Sequence, residues 1–145
     1  MEKYIGTKTI EAEPMARGDY NKYRGWTIPA DENPDDEGYL VKYSDGYVSW
    51  SPEKAFLEAY RKSGEMNFGH ALELLKHGKK VARKGWNGKG MYLYLADGKL
   101  LTEAIGDGSF PFTDTITMKT ADDKYCIGWL ASQTDMLADD WEIIP

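Results

Sequence analysis

The chain has 145 residues, 29% of them charged and 41% apolar, and a net charge of −6. This is the composition of an ordinary water-soluble globule, one domain or two small ones, and its negative charge argues against general binding to nucleic acid or acidic membranes, which draws on a positive field. No apolar run approaches a membrane span, the N-terminal MEKYIGTKTIEAE lacks a signal-peptide pattern, and a single cysteine, Cys126, fits a reducing compartment, so a cytoplasmic protein is expected.

Residues 1–37 read as irregular chain hugging a surface. Pro14, Pro29 and Pro34 interrupt it, and Asp31, Glu32, Asp35, Asp36 and Glu37 make it acidic. Tyr20, Tyr23 and Trp26 need something to pack on, which argues against disorder. Two strands, Tyr39–Tyr43 and Tyr47–Trp50, flank Asp45-Gly46, a pair that predicts a tight type I′ hairpin. Ser51 as N-cap and Pro52 at the first helical position then open a helix. Ala55, Phe56, Ala59 and Tyr60 share one of its faces, and Gly64 is placed to stop it.

Met66 looks like a second beginning. Asn67 can cap a helix that turns Phe68, Ala71, Leu72 and Leu75 inward and ends at Gly78. Lys80–Arg83, Met91–Leu95 and Lys99–Thr102 read as a strand meander turning at Asn87-Gly88 and Asp97-Gly98. A Gly/Pro-broken loop from Gly106 to Thr115 follows, then short strands near Ile116–Met118 and Tyr125–Trp129. Ser132 or Thr134 can cap a last short helix with Asp135 in its first turn, and Trp141–Ile144 closes the chain as a strand. The expected fold is α+β: a small, mostly antiparallel sheet packed by short helices in residues 66–145, preceded by a ββα-like segment in residues 1–65.

The polar residues form no complete catalytic or metal-binding pattern. His70, Glu73 and His77 share a helix face, but no fourth ligand stands at a recognisable spacing, so no metal is expected and the histidines are read as solvent-facing. Cys126, in Tyr-Cys-Ile-Gly-Trp, reads as a small buried hydrophobe. There is no Gly-x-Ser-x-Gly elbow, and neither Asn87–Gly90 nor Gly106–Gly108 opens a helix after a strand as a phosphate loop should. Asp139 and Asp140 read as a charged helix end. No cofactor and no enzymatic activity are expected. The basic run Lys76, Lys79, Lys80, Arg83, Lys84 and Lys89 has two readings, a solvated helix end with an exposed strand face or a local site for a phosphate-bearing ligand.

What remains is a surface of aromatic planes and hydrogen bonders. Trp86 and Asn87 sit at a strand end, and Trp129 ends another strand that leads into Ser132, Thr134 and Asp135 at a helix start. Indole faces stack on bases at roughly 1–3 kcal/mol each, and a helix N-terminus offers N–H groups to an anion. The competing reading makes Trp86 and Trp129 core residues, as Trp141, heading an apolar strand, is taken to be.

Three stretches carry a resemblance. Val81-Ala-Arg-Lys-Gly-Trp-Asn-Gly-Lys-Gly-Met-Tyr-Leu, Ile116-Thr-Met-Lys-Thr and Gly128-Trp-Leu-Ala-Ser-Gln-Thr-Asp-Met-Leu-Ala-Asp-Asp-Trp141 resemble the second-type Thoeris anti-defense family of short phage and prophage proteins. Met66 falls where the short members begin. The resemblance implies a sponge, which binds cyclic ADP-ribose isomers made by the Thoeris immune system, in some relatives cyclic dinucleotides, without cleaving them. It also implies a homotetramer with ligand pockets between protomers. Carried over, it implies that Trp86 and Trp129 stack on the base and that Asn87, Ser132 and Asp135 hydrogen-bond riboses or phosphates. Arg83, Lys84, Lys89 and Thr134 are added because a pyrophosphate needs donors and positive charge. Residues 1–65 look like a segment found ahead of this domain in phage proteins. Two other classes compete with the sponge: an enzyme that modifies such nucleotides, and a structural or protein-binding phage component.

Overall fold

The computed structural model describes residues 1–145 and divides into two compact units, Met1–Arg61 and Lys62–Pro145. In the first, β1 (Glu11–Pro14), α1 (Arg17–Tyr23), β2 (Gly38–Lys42), β3 (Val48–Pro52) and α2 (Glu53–Ala59) follow one another, and the strands pair antiparallel in the order β1-β2-β3. The predicted hairpin and helix are present, but β1 and α1 fall in the stretch read as irregular. Their sequences explain the difference. Glu-Ala-Glu-Pro has no apolar alternation and is exposed along its length, and α1 turns only Gly18, Tyr20 and Asn21 inward. Contacts distant in sequence hold them: β1 pairs with β2, and the Gly18 amide donates to Pro34 O at 2.9 Å.

The hairpin differs from a type I′ turn. Only Gly46 has positive φ (87°), the Gly46 amide donates to Tyr43 O, and the Tyr43 amide donates to Tyr47 O. That is a type I turn followed by a left-handed glycine, a three-residue loop that leaves Asp45 free to accept the Tyr47 amide through Oδ1. Ser51 belongs to β3, so Pro52 takes the N-cap place of α2. That helix ends at Ala59, and Gly64 (φ 94°) lies in the turn beyond it. Val41 is the buried centre of this unit, with Tyr39 stacked on Phe56 at 4.0 Å.

The second unit holds α3 (Phe68–Lys76), β4 (Lys80–Arg83), β5 (Tyr92–Ala96), α4 (Gly98–Ile105), β6 (Thr115–Lys119), β7 (Tyr125–Ile127), α5 (Gln133–Leu137) and β8 (Trp141–Ile144). The five strands form one antiparallel sheet in the order β7-β6-β5-β4-β8. The fold is α+β, as expected from the pattern. Asn67 closes a capping box with His70, in which the Asn67 side chain accepts the His70 amide and His70 Nδ1 accepts the Asn67 amide. At the other end the Gly78 amide donates to Leu75 O and the Lys79 amide to Leu74 O, a complete Schellman stop around a left-handed glycine. Between these ends α3 lays Ala71, Leu74 and Leu75 on Val81, Leu93, Met66 and Trp141, the buried core. The segment before α3 joins the sheet edge: Gly64 and Met66 amides donate to Trp141 O, and Ser63 Oγ accepts the Ile143 amide.

Three expectations for this unit are corrected. Residues 99–102 are helix, not strand. Asp97 Oδ1 accepts the Lys99 and Leu100 amides as the N-cap of α4, and Gly98 is required by space, since a Cβ there would stand 2.3 Å from Phe112 O. The Asn87-Gly88 pair makes no tight turn. Positive φ falls on Gly90 within the broad 84–91 connection, and Gly88 instead lets Met91 and Ala121 approach. Cys126 is exposed, because β7 is an edge strand whose three residues all face solvent.

Candidate ligand-binding site

The end of β4 and the start of β8 pair directly, Arg83 opposite Trp141, and this register brings the 84–91 connection beside the chain that leaves α5. Asp135 is the centre of what gathers there. Its Oδ1 accepts from Arg83 Nη1 at 2.9 Å and from Trp86 Nε1 at 3.1 Å. Its Oδ2 accepts from the Ser132 amide at 3.1 Å and from Ser132 Oγ at 2.9 Å, while the Asp135 amide donates back to Ser132 Oγ. Ser132 is thus the N-cap of α5 within a capping box. Asp135 O accepts the Trp141 indole N–H at 3.0 Å.

Arg83 bridges two carboxylates. Besides Asp135 it donates from Nε to Asp140 Oδ1 at 2.9 Å and from Nη2 to Oδ2 at 3.4 Å, and the Gly85 amide donates to the same Oδ2 at 2.8 Å. Asp140 is therefore an ion-pair partner at the mouth of β8 and not the charged helix end expected of Asp139-Asp140. The arrangement shifts the titration of all three groups. Burial would raise the Asp135 carboxyl, but the combined hydrogen bonds from Arg83, Trp86 and Ser132 outweigh it and hold it below the usual carboxylate range. The Arg83 bond is the main cause that lowers Asp140, opposed by burial and helped by the Gly85 amide. Arg83 in turn is raised, first by Asp140. All three stay charged near neutrality, so neither carboxylate is poised to take up a proton and Arg83 has its charge answered within the frame.

On this frame rest the rings. Trp86, Trp129 and the fully buried Trp141 are mutually edge-to-face, with centroids 6.2 Å (Trp86–Trp129), 5.5 Å (Trp86–Trp141) and 6.3 Å (Trp129–Trp141) apart. Phe68 packs against Trp129 and Trp141. Trp86 and Trp129 are half-buried, each lying against the core while keeping part of its surface in solvent. Leu130, Met136 and Leu137 add exposed apolar surface on the same stretch of chain.

Of the residues singled out from the sequence, Arg83, Trp86, Trp129, Ser132 and Asp135 come together. Asn87 and Lys89 are exposed in the 84–91 connection, and Thr134 is exposed on α5. The Lys84 side chain runs over Gly64, where a Cβ would meet its Cε at 2.8 Å. Lys80 lies over the Tyr92 ring at 4.7 Å, so the basic run does not converge on one point. The amides of Ser132, which caps α5, and of Asp135 in its first turn are spent in the capping box, which leaves them unavailable to an anion. His70 and His77 are tied to their own helix, His70 in the capping box and His77 Nδ1 to Glu73 O at 2.7 Å, and His70 is half-buried rather than fully solvent-facing. Asp140 is the residue that sequence reasoning missed. No local sequence signal marks it, because its place beside Arg83 is set by the pairing of the β4 end with Trp141. An open cleft of about 410 Å³ in the first unit, edged by Arg17, Asp36, Glu37, Trp50 and Glu53, contains none of the predicted site residues.

Residues 66–144 match the family described as the Thoeris anti-defense 2-like domain. A relative from Bacillus phage SP01, named Thoeris anti-defense 2, is 46% identical to this chain over 86 residues, a stretch covering 55% of this chain and 96% of the relative. No helix is long and apolar enough to cross a membrane.

Proposed function

The chain belongs to the Thoeris anti-defense 2-like family, and on that premise we propose that residues 66–145 sequester a cyclic ADP-ribose-type immune signal without cleaving it. Family membership supports an anti-Thoeris role for a phage protein, and it favours a non-catalytic one. The observation that carries the finer reading is the pair of half-buried indoles, Trp86 and Trp129, seated on a frame whose charges are already paired. Such a platform offers flat, polarisable surface to a base at little cost in ordering, because the rings are held before the ligand arrives. Asn87, Lys84 and Lys89, exposed in the 84–91 connection that carries Trp86, and Thr134, exposed beside Asp135 on α5, are suited to riboses and phosphates.

The same proposal includes self-association as a homotetramer in the cytoplasm of the infected host, with pockets completed between protomers. A small protomer does not by itself enclose a whole nucleotide, and the exposed Leu130, Met136 and Leu137 are the apolar surface nearest the platform in sequence. Cyclic dinucleotides are a second ligand class within this reading. Residues 1–65 are proposed as an extension that braces the assembly or alters which nucleotide fits.

The test is recovery. Protein is incubated with a cyclic ADP-ribose isomer, separated from free ligand by filtration and denatured by heat. Intact cyclic ligand in the released fraction supports sequestration, and linear products sink it. One observation favours a competing structural role: both rings pack on the core tryptophan. A panel of cyclic ADP-ribose isomers and cyclic dinucleotides that leaves the melting temperature unchanged would decide for that role, since ligand at about a hundred times its Kd adds roughly 2.7 kcal/mol.

A further inference from the structure

Asp140 is not among the residues to which the family resemblance assigns a ligand contact, yet it reaches Trp86 by two routes. Through side chains, its carboxylate holds Arg83 at Nε (2.9 Å) and Nη2 (3.4 Å), Arg83 Nη1 holds Asp135, and Asp135 Oδ1 accepts the Trp86 indole N–H. Through the main chain, Asp140 Oδ2 accepts the Gly85 amide at 2.8 Å and Asp140 O accepts the Lys84 amide at 3.2 Å, so the two residues ahead of Trp86 are both pinned.

We infer that Asp140 is a positioning residue for ligand capture, fixing the setting of the Trp86 indole through Arg83 and Gly85. The inference rests on the proposed role of Trp86 as a ligand-stacking ring. Only a carboxylate fits the task, because the Arg83 fork and the Gly85 amide together need two acceptor oxygens and an amide side chain supplies one. The fit is close. A Cβ on Gly85 would stand 2.7 Å from Asp140 Oδ2 and 3.2 Å from Arg83 Nη2, so position 85 has no room for a side chain while the carboxylate keeps its place. The Asp140 side chain is 29% exposed and the Arg83 side chain 14%, which sets this clamp at the rim of the platform, with its charges only partly screened.

The experiment uses the full chain labelled with 15N, the indole N–H resonance of Trp86 assigned with Trp86→Phe, and a cyclic ADP-ribose isomer as probe. Asp140→Asn and Gly85→Ala are each expected to move the Trp86 indole resonance while that of Trp50 stays in place. Each is also expected to weaken binding of the probe about tenfold, the size of losing one charge-assisted hydrogen bond. Asp140→Ala should weaken it further, and if that variant fails to fold, the other two decide. A Trp86 resonance or an affinity that does not respond to Asp140→Asn overturns the positioning role. The sequestration proposal survives that result if Trp86→Ala still loses the probe. A wild-type protein that binds no probe overturns both.

Discussion

The indole N–H of Trp86 donates to Oδ1 of Asp135 at 3.1 Å, bridging 49 residues of sequence. The same oxygen takes Arg83, so one atom fixes the connection after β4 to the first turn of α5. A half-buried ring is thereby given a set orientation by a group that has no other bond to offer at that oxygen. The consequences can be measured.

Trp86→Ala and Trp129→Ala should each abolish capture of a cyclic ADP-ribose isomer while leaving the chain folded, at about 2 kcal/mol of stability. That is less than the roughly 3–5 kcal/mol for a fully buried aromatic, because both rings keep solvent-facing surface. Trp141→Ala, at 0% exposure, should reach the upper part of that range. Urea titration beside calorimetric titration separates the two effects. A Trp129→Ala variant that unfolds as readily as Trp141→Ala would return that ring to the core.

Arg83→Leu removes the cation between two carboxylates and should cost about 3 kcal/mol, since breaking a partly buried pair leaves charge without a partner. Adding Asp135→Asn should recover part of the loss, a coupling that a double-mutant cycle reads directly. Losses that simply add would show that Asp135 and Arg83 act separately.

Acid should unfold the second unit through these same carboxylates. Asp135 and Asp140 are depressed below the ordinary carboxylate value of 3.8, so the unfolded chain binds protons first as pH falls. Their contribution is fully present above that ordinary value and is lost as pH drops through the depressed folded values. Stability is therefore expected to be flat from neutrality to about pH 5 and to decline below about pH 4. Asp140→Asn should make the decline shallower. A decline of wild-type steepness in that variant would assign the acid sensitivity to other groups.

Asp97→Ala should cost about 1 kcal/mol, the loss of an N-cap, with a drop in helical circular dichroism from α4. Gly98→Ala should cost more, because its Cβ would meet backbone at Phe112 and Thr113 that has to move. Neutral behaviour at both positions would be inconsistent with a helix starting there.

The elements legible in the sequence are those whose determinants are local. Asn67 with a periodic apolar face and Gly78 bounds α3 at both ends, and Ser132 with Asp135 marks the start of α5. Asp97-Gly98 reads as a hairpin turn and is an N-cap, because aspartate before glycine serves both equally well and Lys-Leu-Leu-Thr is too short to carry a period. β1 and α1 take their shape from β2 and Pro34, partners far along the chain. For the site, tryptophans beside polar residues were visible one by one. The spending of Asp135 and Arg83 on each other was not, because ion pairing across β4 and β8 depends on register, which no single segment encodes. Asp140 was passed over for the same reason.

The frame divides the site into residues that are bound to one another and residues that are not. Arg83, Gly85, Asp135 and Asp140 cannot drift singly, because each change strands a charge or displaces a partner. Asn87, Lys89, Leu130, Gln133 and Thr134 are exposed neighbours in sequence of Trp86, Trp129 and Asp135 and take no part in those bonds. On the proposed reading, holding the rings and choosing the ligand fall to different residues. If the rings stack a ligand as proposed, substitutions at the exposed positions should alter its preference while the ion-paired frame beneath stays intact.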